Sequence, residues 1–232
     1  IKFLYASQVK EAKINTEKSK TKDLIADISH QTKTPITNLS LYISLLEDDP
    51  KDDYIEIIKY ELNKLEFLIQ NLVKSSRLES NIISLQKHQA NLKDIVEDAL
   101  REFKVILSEK DISINLKDED LIFNLDERWL KEAIHNLVDN AIKYSPNGST
   151  INISVYKSCL NYNLDIENEC KDLSEETLPK IFERFYRGKN SVSKDGLGLG
   201  LFIAREIIEK HGGNIRASLD ENRIKFSVDF PL

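Results

Sequence analysis

The chain has 232 residues, 41% hydrophobic and 31% charged, with a formal net charge of −6. That is enough apolar side chain for one or two folded domains without staples, and it excludes a disordered chain. The acidic balance, without any long basic run, excludes a nucleic-acid or anionic-membrane footprint, so no nucleic-acid partner is expected.

Residues 1–20 are polar and lysine-rich, with Leu4 and Ile14 among few apolar anchors, and read as a connecting helix. The chain opens at Ile1, contains no methionine and has no apolar run of eighteen residues, so it is expected to be a piece of a longer protein. From Ile25 the positions Ile25, Ile28, Thr32, Pro35 or Ile36, Leu39, Ile43 and Leu46 keep the three-four spacing of a bundle seam and predict a long helix. Asp48, Asp49 and Pro50 break it. Tyr54, Ile58, Leu62, Leu65, Ile69 and Leu72 repeat the seam on a second helix, which makes an antiparallel hairpin. Two helices cannot enclose a core, so residues 21–80 are expected to form a homodimer through a four-helix bundle.

From about residue 81 the pattern changes to strands alternating with helices. Residues 112–116 and 121–125 read as strands, Asp126 as an N-cap, and 128–143 as a helix with Leu130, Ile134, Leu137, Val138 and Ala141 inward. Residues 151–156, 160–166, 214–218 and 223–230 supply further strands, and 199–210 another helix ending at His211, Gly212 and Gly213. The expected fold is α+β: a helical hairpin followed by an α/β sandwich, its mixed sheet covered by helices on one face. The expected domains are 1–20, 21–80 and 81–232. Cys159 and Cys170 lack metal-ligand histidine spacing and read as reduced thiols. Trp129 reads as core, His88 and His135 as structural or exposed, and His211 as a charged helix C-terminal cap.

His30 lies two residues from both Ile28 and Thr32, off the seam, among the polar Asp23, Asp27, Lys33, Thr34 and Thr37. It is expected to be an exposed imidazole, which in its neutral form is a competent nucleophile near pH 7. Pro35 removes one helical hydrogen bond beside it and predicts a kink. Ser29, His30, Gln31, Lys33, Thr34 and Pro35 together resemble the phosphoacceptor box of sensor histidine kinases, whose usual form has an acidic residue where Gln31 stands.

The second module carries its own evidence. Asn136 and Asn140 are one helical turn apart, so two amide oxygens can converge on a magnesium ion, with Lys143 and Tyr144 following for phosphate charge and nucleotide packing. Gly196, Gly198 and Gly200 let backbone approach a phosphate, and the helix opening at Leu199 aims its first amides there. No Gly-Lys-Ser/Thr follows, which excludes a P-loop.

This combination resembles the ATP-binding domain shared by histidine kinases, gyrase, Hsp90 and mismatch-repair ATPases. Residues 136–144 match its asparagine box, and Gly196, Leu197, Gly198, Leu199 and Gly200 its second glycine box. Ile181, Phe182, Phe185 and Arg187 lie in a match to the kinases' phenylalanine box, which implies a lid over ATP at 188–195. The first glycine box is degenerate: Asn168 stands at its aspartate, with Glu169, Cys170 and Lys171 beyond. Asn168 still offers an oxygen to the adenine amino group and a donor to a ring nitrogen, the alternative being that this loop no longer binds nucleotide. Alternation points Glu167 the other way.

The resemblance implies ATP and Mg2+ on the second module, magnesium on Asn136 and Asn140, self-phosphorylation of His30, and transfer to an aspartate of a cognate response regulator. The family's hydrolases carry a glutamate where this chain has Asn136, and an amide cannot take a proton from water, so transfer is favoured over hydrolysis. Gln31 can orient the His30 ring but not accept its proton, and Thr34 has the position the family uses to place water for regulator dephosphorylation. The implied setting is the cytoplasmic domain of a membrane-anchored sensor. The alternative is a phosphatase-dominant protein, or an ATP-binding dimeric scaffold without robust kinase activity.

Overall fold

The structure, a computed structural model, describes residues 25, 26, 28, 29, 31–79, 84–170, 173–188 and 198–232. His30, Gly196, Leu197, most of the expected lid and the expected connecting helix at 1–20 lie outside the described residues. The chain divides into two compact units, Ile1–Leu72 and Val73–Leu232.

In the first unit, α1 (31–48, with 25, 26, 28 and 29 also helical) turns at Asp49 and Pro50 into α2 (Asp52–Glu79). The helix continues through Pro35, whose missing N–H leaves the Gln31 carbonyl without its helical donor. Pro35 is buried and Leu39, Tyr42, Ile58 and Leu65 are half-buried, while Tyr42 and Tyr54 set their ring centroids 5.7 Å apart near the turn. Asn38 Nδ2 donates to the Glu61 carboxylate at 2.8 Å, a polar pair in an otherwise apolar seam. Only part of the expected seam is covered within one chain. Ile36, Ile43, Leu62 and Ile69 are each about half exposed, because the two helices bury one side of each stripe and leave the other side uncovered.

The second unit begins its sheet structure with β1 (His88–Asn91), then α3 (Leu92–Glu102) and α4 (Lys104–Glu109), the two helices not having been expected as separate elements. The Asn91 side chain accepts the Lys93 and Leu121 N–H groups, both at 3.1 Å, capping α3 and tying it to the next strands. There follow β2 (Ser113–Asp118), β3 (Ile122–Leu125), α5 (Glu127–Tyr144), β4 (Thr150–Lys157) and β5 (Asn161–Glu169). A 3-10 turn (Glu175–Lys180), α6 (Gly200–Lys210), β6 (Asn214–Asp220) and β7 (Arg223–Pro231) complete the chain.

Five strands form one sheet in the order β2-β4-β5-β7-β6; β2 and β4 run parallel and the other neighbours antiparallel, so the sheet is mixed as expected. β1 and β3 pair separately. Alternation buries Ile151, Ile153 and Val155 of β4, Leu164 and Ile166 of β5, and Ile224, Phe226, Val228 and Phe230 of β7. Against them lie Leu130, Ala133, Ile134, Leu137, Val138, Ala141 and Ile142 of α5 and Phe202, Ile203, Ala204, Ile207 and Ile208 of α6. Burying each large aliphatic or aromatic side chain contributes roughly 1.5–3 kcal/mol, which fixes the helices to one face. Trp129 is half-buried rather than core, since the inward stripe of α5 runs through Leu130, Ala133, Ile134 and Leu137 and leaves Trp129 at its edge. No described helix is long and apolar enough to cross a membrane.

Candidate active site

Three segments of the second unit meet around the asparagines of α5. Asp126 caps that helix by accepting the Trp129 N–H at 3.2 Å, as expected from its position, and the helix then carries Asn136, Asn140, Lys143 and Tyr144 through its later turns. Asn136 spends its Nδ2 on the Glu132 carbonyl at 2.9 Å, which turns Oδ1 toward Gly200; a Cβ on Gly200 would stand 3.0 Å from that oxygen. The asparagine box and the second glycine box are therefore in contact, and a side chain at position 200 would press on that oxygen. Asn140 is half-buried, with no hydrogen-bond partner for its amide among the described residues. Lys143 Nζ lies 5.7 Å from the Tyr144 ring centroid.

The phenylalanine box is braced against the same glycines. Phe182 is buried with its ring edge-on to Phe226, 6.2 Å between centroids, and the Arg184 guanidinium stacks 4.4 Å from the Phe202 ring of α6. The Phe185 N–H donates to the Gly198 carbonyl at 2.9 Å, joining the two ends of the segment expected to cover the nucleotide. Both residues are left-handed: Phe185 has φ 57° and Gly198 φ 70°. Tyr186 and Arg187 follow, half-buried. Leu199, buried, precedes α6, and no side chain caps that helix among the described residues. Its first amides are thus available to an anion, the arrangement expected of a phosphate-binding helix end.

On β5 the expected parity holds. Asn168 is fully buried on the helix-covered face, while Glu167 turns to the open face. The Asn168 amide donates from Nδ2 to the Glu169 carbonyl at 2.8 Å and leaves Oδ1 buried without a partner. An orphaned buried acceptor costs free energy, and an exocyclic amino group would satisfy it. The donor end, expected to reach a ring nitrogen, is engaged by Glu169 instead. Of the phosphoacceptor box, Gln31 is half-buried and Thr34 exposed on α1; Thr32 and Thr37 turn their hydroxyls back onto the Ile28 and Lys33 carbonyls, each at 2.8 Å.

His211 differs from its expected role as a charged cap. It does sit at the C-terminus of α6, but buried, with Nδ1 2.8 Å from the Ile207 carbonyl and Nε2 accepting the Asp126 N–H at 3.1 Å. Those partners define a neutral ring that ties the end of α6 to the start of α5. Burial holds its pKa below the ordinary 6.5, against the opposing pull of the Ile207 carbonyl. As pH falls, the unfolded chain takes up this proton first, so the stability is complete above about 6.5 and declines below it. The thermal midpoint is expected to drop as pH falls below about 6.5, by about 2–4 °C for each kcal/mol lost, and His211→Gln is expected to flatten that slope. An identical slope in the variant would assign the acid sensitivity to other groups. His88, exposed beside the Gln86 carbonyl and Glu127, has a raised pKa and contributes with the opposite sign, losing its stabilisation as pH rises.

Helical hairpin, mixed sheet and asparagine-glycine site define a histidine-kinase core. Residues 20–81 match the family model of the His Kinase A (phospho-acceptor) domain, and residues 125–232 that of the histidine kinase-, DNA gyrase B- and HSP90-like ATPases. The chain belongs to the sensor histidine kinases. It is 30% identical over 232 residues to the sensor protein DltS of Streptococcus agalactiae, covering 99% of this chain and 59% of that protein. It is 31% identical over 218 residues to the sensor protein VanSC of Enterococcus gallinarum, covering 90% of this chain and 60% of that one. The chain thus spans about three fifths of the length of these curated relatives. Among solved structures, histidine kinase ThkA in complex with the response regulator TrrA superposes with a TM-score of 0.76 at 26% identity, covering 95% of this chain and 64% of that one. Histidine kinase AdeS of Acinetobacter baumannii has the same fold, with a TM-score of 0.75 at 24% identity, over 87% of this chain and 97% of that one.

Proposed function

We propose that the chain is the catalytic core of a sensor kinase that moves the γ-phosphoryl group of ATP to an imidazole nitrogen of His30, and from there to an aspartate of a response regulator. The observation that carries this reading is the seating of Asn136 against Gly200 at the uncapped start of α6. It joins a helix bearing two amides to a helix end that favours anions, and puts an amide where the hydrolases place their glutamate. Asn168 would take the adenine amino group through Oδ1, and Lys143 would lie near phosphate charge. A magnesium ion on Asn136 and Asn140 would neutralise charge on the phosphates it bridges. The structural relative solved with a response regulator supports a partner of that kind.

Residues 21–80 pair with a second copy in this reading, which covers Ile36, Ile43, Leu62 and Ile69 in a four-helix bundle. Thr34, exposed on α1, positions water for regulator dephosphorylation. In this reading the core sits in the cytoplasm as part of a membrane-anchored sensor. The test is transfer of label from γ-labelled ATP to acid-labile, base-stable phosphate on the chain. Asn140→Asp is expected to lower that transfer by at least about tenfold while the thermal midpoint stays put, because the near-isosteric change alters charge at a half-exposed site. Full transfer together with unchanged magnesium-ATP affinity would remove Asn140 from the site.

A further inference from the structure

The end of β5 lies where the sheet thins. β5 remains paired with β7 to Glu169, opposite Arg223, whereas its register with β4 ends at Glu167, opposite Asn152. The Cys170 N–H donates to the Asn222 carbonyl at 2.8 Å, so the β5–β7 ladder bonds fall on even-numbered residues of β5 and the Glu169 carbonyl points away from β7. That is the carbonyl the Asn168 amide holds.

On the open face, directly behind, one side chain spans the same three strands. Arg223 Nε pairs with Glu167 Oε1, its Nη1 lies 3.4 Å from Glu169 Oε1, and its Nη2 donates to the Thr150 carbonyl of β4 at 3.4 Å. Asn152 adds a bond from Nδ2 to Glu167 Oε1 at 3.3 Å. A carboxylate at position 168 would present an acceptor whichever way it turned. An amide has a donor end and an acceptor end, and what it reads depends on which is held inward. Flipping Asn168 would set its oxygen against the Glu169 carbonyl oxygen with no proton between them, so the position of that carbonyl decides the orientation.

We propose that Arg223 is a positioning residue for nucleobase recognition: its clasp on Glu167 and Glu169 holds the Glu169 carbonyl where it locks Asn168 oxygen-inward, so that the site accepts a 6-amino purine and rejects a 6-oxo purine. The inference rests on the reading of Asn168 as the base contact. Arg223 and Glu167 are each about one-third exposed, and ion pairs so placed add little to stability, so loosening the clasp leaves the domain folded.

The experiment measures magnesium-ATP, magnesium-ITP and magnesium-tripolyphosphate affinities by calorimetry on the whole chain. The unsubstituted protein is expected to prefer ATP to ITP by at least about tenfold, the scale set by one mismatched buried polar contact. Asn168→Ala abolishes the preference. Arg223→Gln shrinks it to about threefold or less with tripolyphosphate affinity and thermal midpoint unchanged, and adds nothing in the Asn168→Ala background, as expected for a residue acting through another. Glu169→Gln, which loosens the clasp from its other end, shrinks it likewise. A preference lost in Asn168→Ala but kept in both clasp variants overturns the role of Arg223 and leaves Asn168 in place. A preference that survives Asn168→Ala overturns the base contact itself. Equal weakening of all three ligands in Arg223→Gln reduces the clasp to sheet structure and also overturns the proposal.

Discussion

His30→Gln is expected to abolish acid-labile phosphate on the chain, with magnesium-ATP affinity within about twofold of the unsubstituted protein. The amide side chain has no nucleophilic lone pair comparable to that of neutral imidazole, so the covalent step has no acceptor. The residues proposed to contact the nucleotide all belong to the Val73–Leu232 unit, and none of them is altered. The measurement is label transfer from ATP beside calorimetry on the same preparation. Acid-labile label persisting in the variant would move the acceptor to another residue; ATP affinity collapsing along with transfer would mean that His30 takes part in binding.

Gly198→Ala is expected to have the next largest effect, a loss of at least about tenfold in ATP affinity. Gly198 holds φ 70°, where an L side chain costs about 1–2 kcal/mol, and its added Cβ would stand 2.6 Å from the Tyr186 carbonyl oxygen and 2.8 Å from the Phe185 carbonyl carbon. Those atoms are backbone and cannot swing aside as a side-chain tip would. Relief requires breaking the Phe185–Gly198 hydrogen bond, which separates the phenylalanine box from α6. The sheet is built elsewhere, so far-ultraviolet circular dichroism is expected to change little. Calorimetric ATP affinity equal to that of the parent would show that this bridge is not part of the binding site.

Much of the fold was legible because its signals are local. Asp126 ahead of an apolar helical stripe specifies the start of α5, and the alternation through Leu164 and Ile166 puts Asn168 on the covered face and Glu167 on the open one. The heptad spacing on α2 reveals an apolar stripe, but not that Leu62 and Ile69 point away from α1. That distinction depends on the rotation of one helix against the other. α3 is not among the expected elements although Leu92, Ile95, Val96 and Ala99 carry the helical period; Asn91 serves as cap and strand end at once.

The site divides in the same way. Asn136, Asn140 and Gly200 are recognisable by spacing, while the contact between Asn136 and Gly200 is a tertiary fact. The neutral state of His211 follows from a backbone N–H that is 85 residues distant, and no local pattern encodes it. Arg223 is similarly silent: its value depends on the register that sets it opposite Glu169.

The bare start of α6 has a consequence for the protein as an ensemble. A helix normally closes its first turn with a serine, threonine, aspartate or asparagine, worth about 0.5–2 kcal/mol, and here that place is held by Leu199. In the proposed reading triphosphate acts as the missing cap, so part of its binding free energy would appear as helix order rather than as grip on the ligand. Loss of that phosphate would then return the first turn of α6, and the Gly198 bridge beside it, to the fraying end of the domain's stability range.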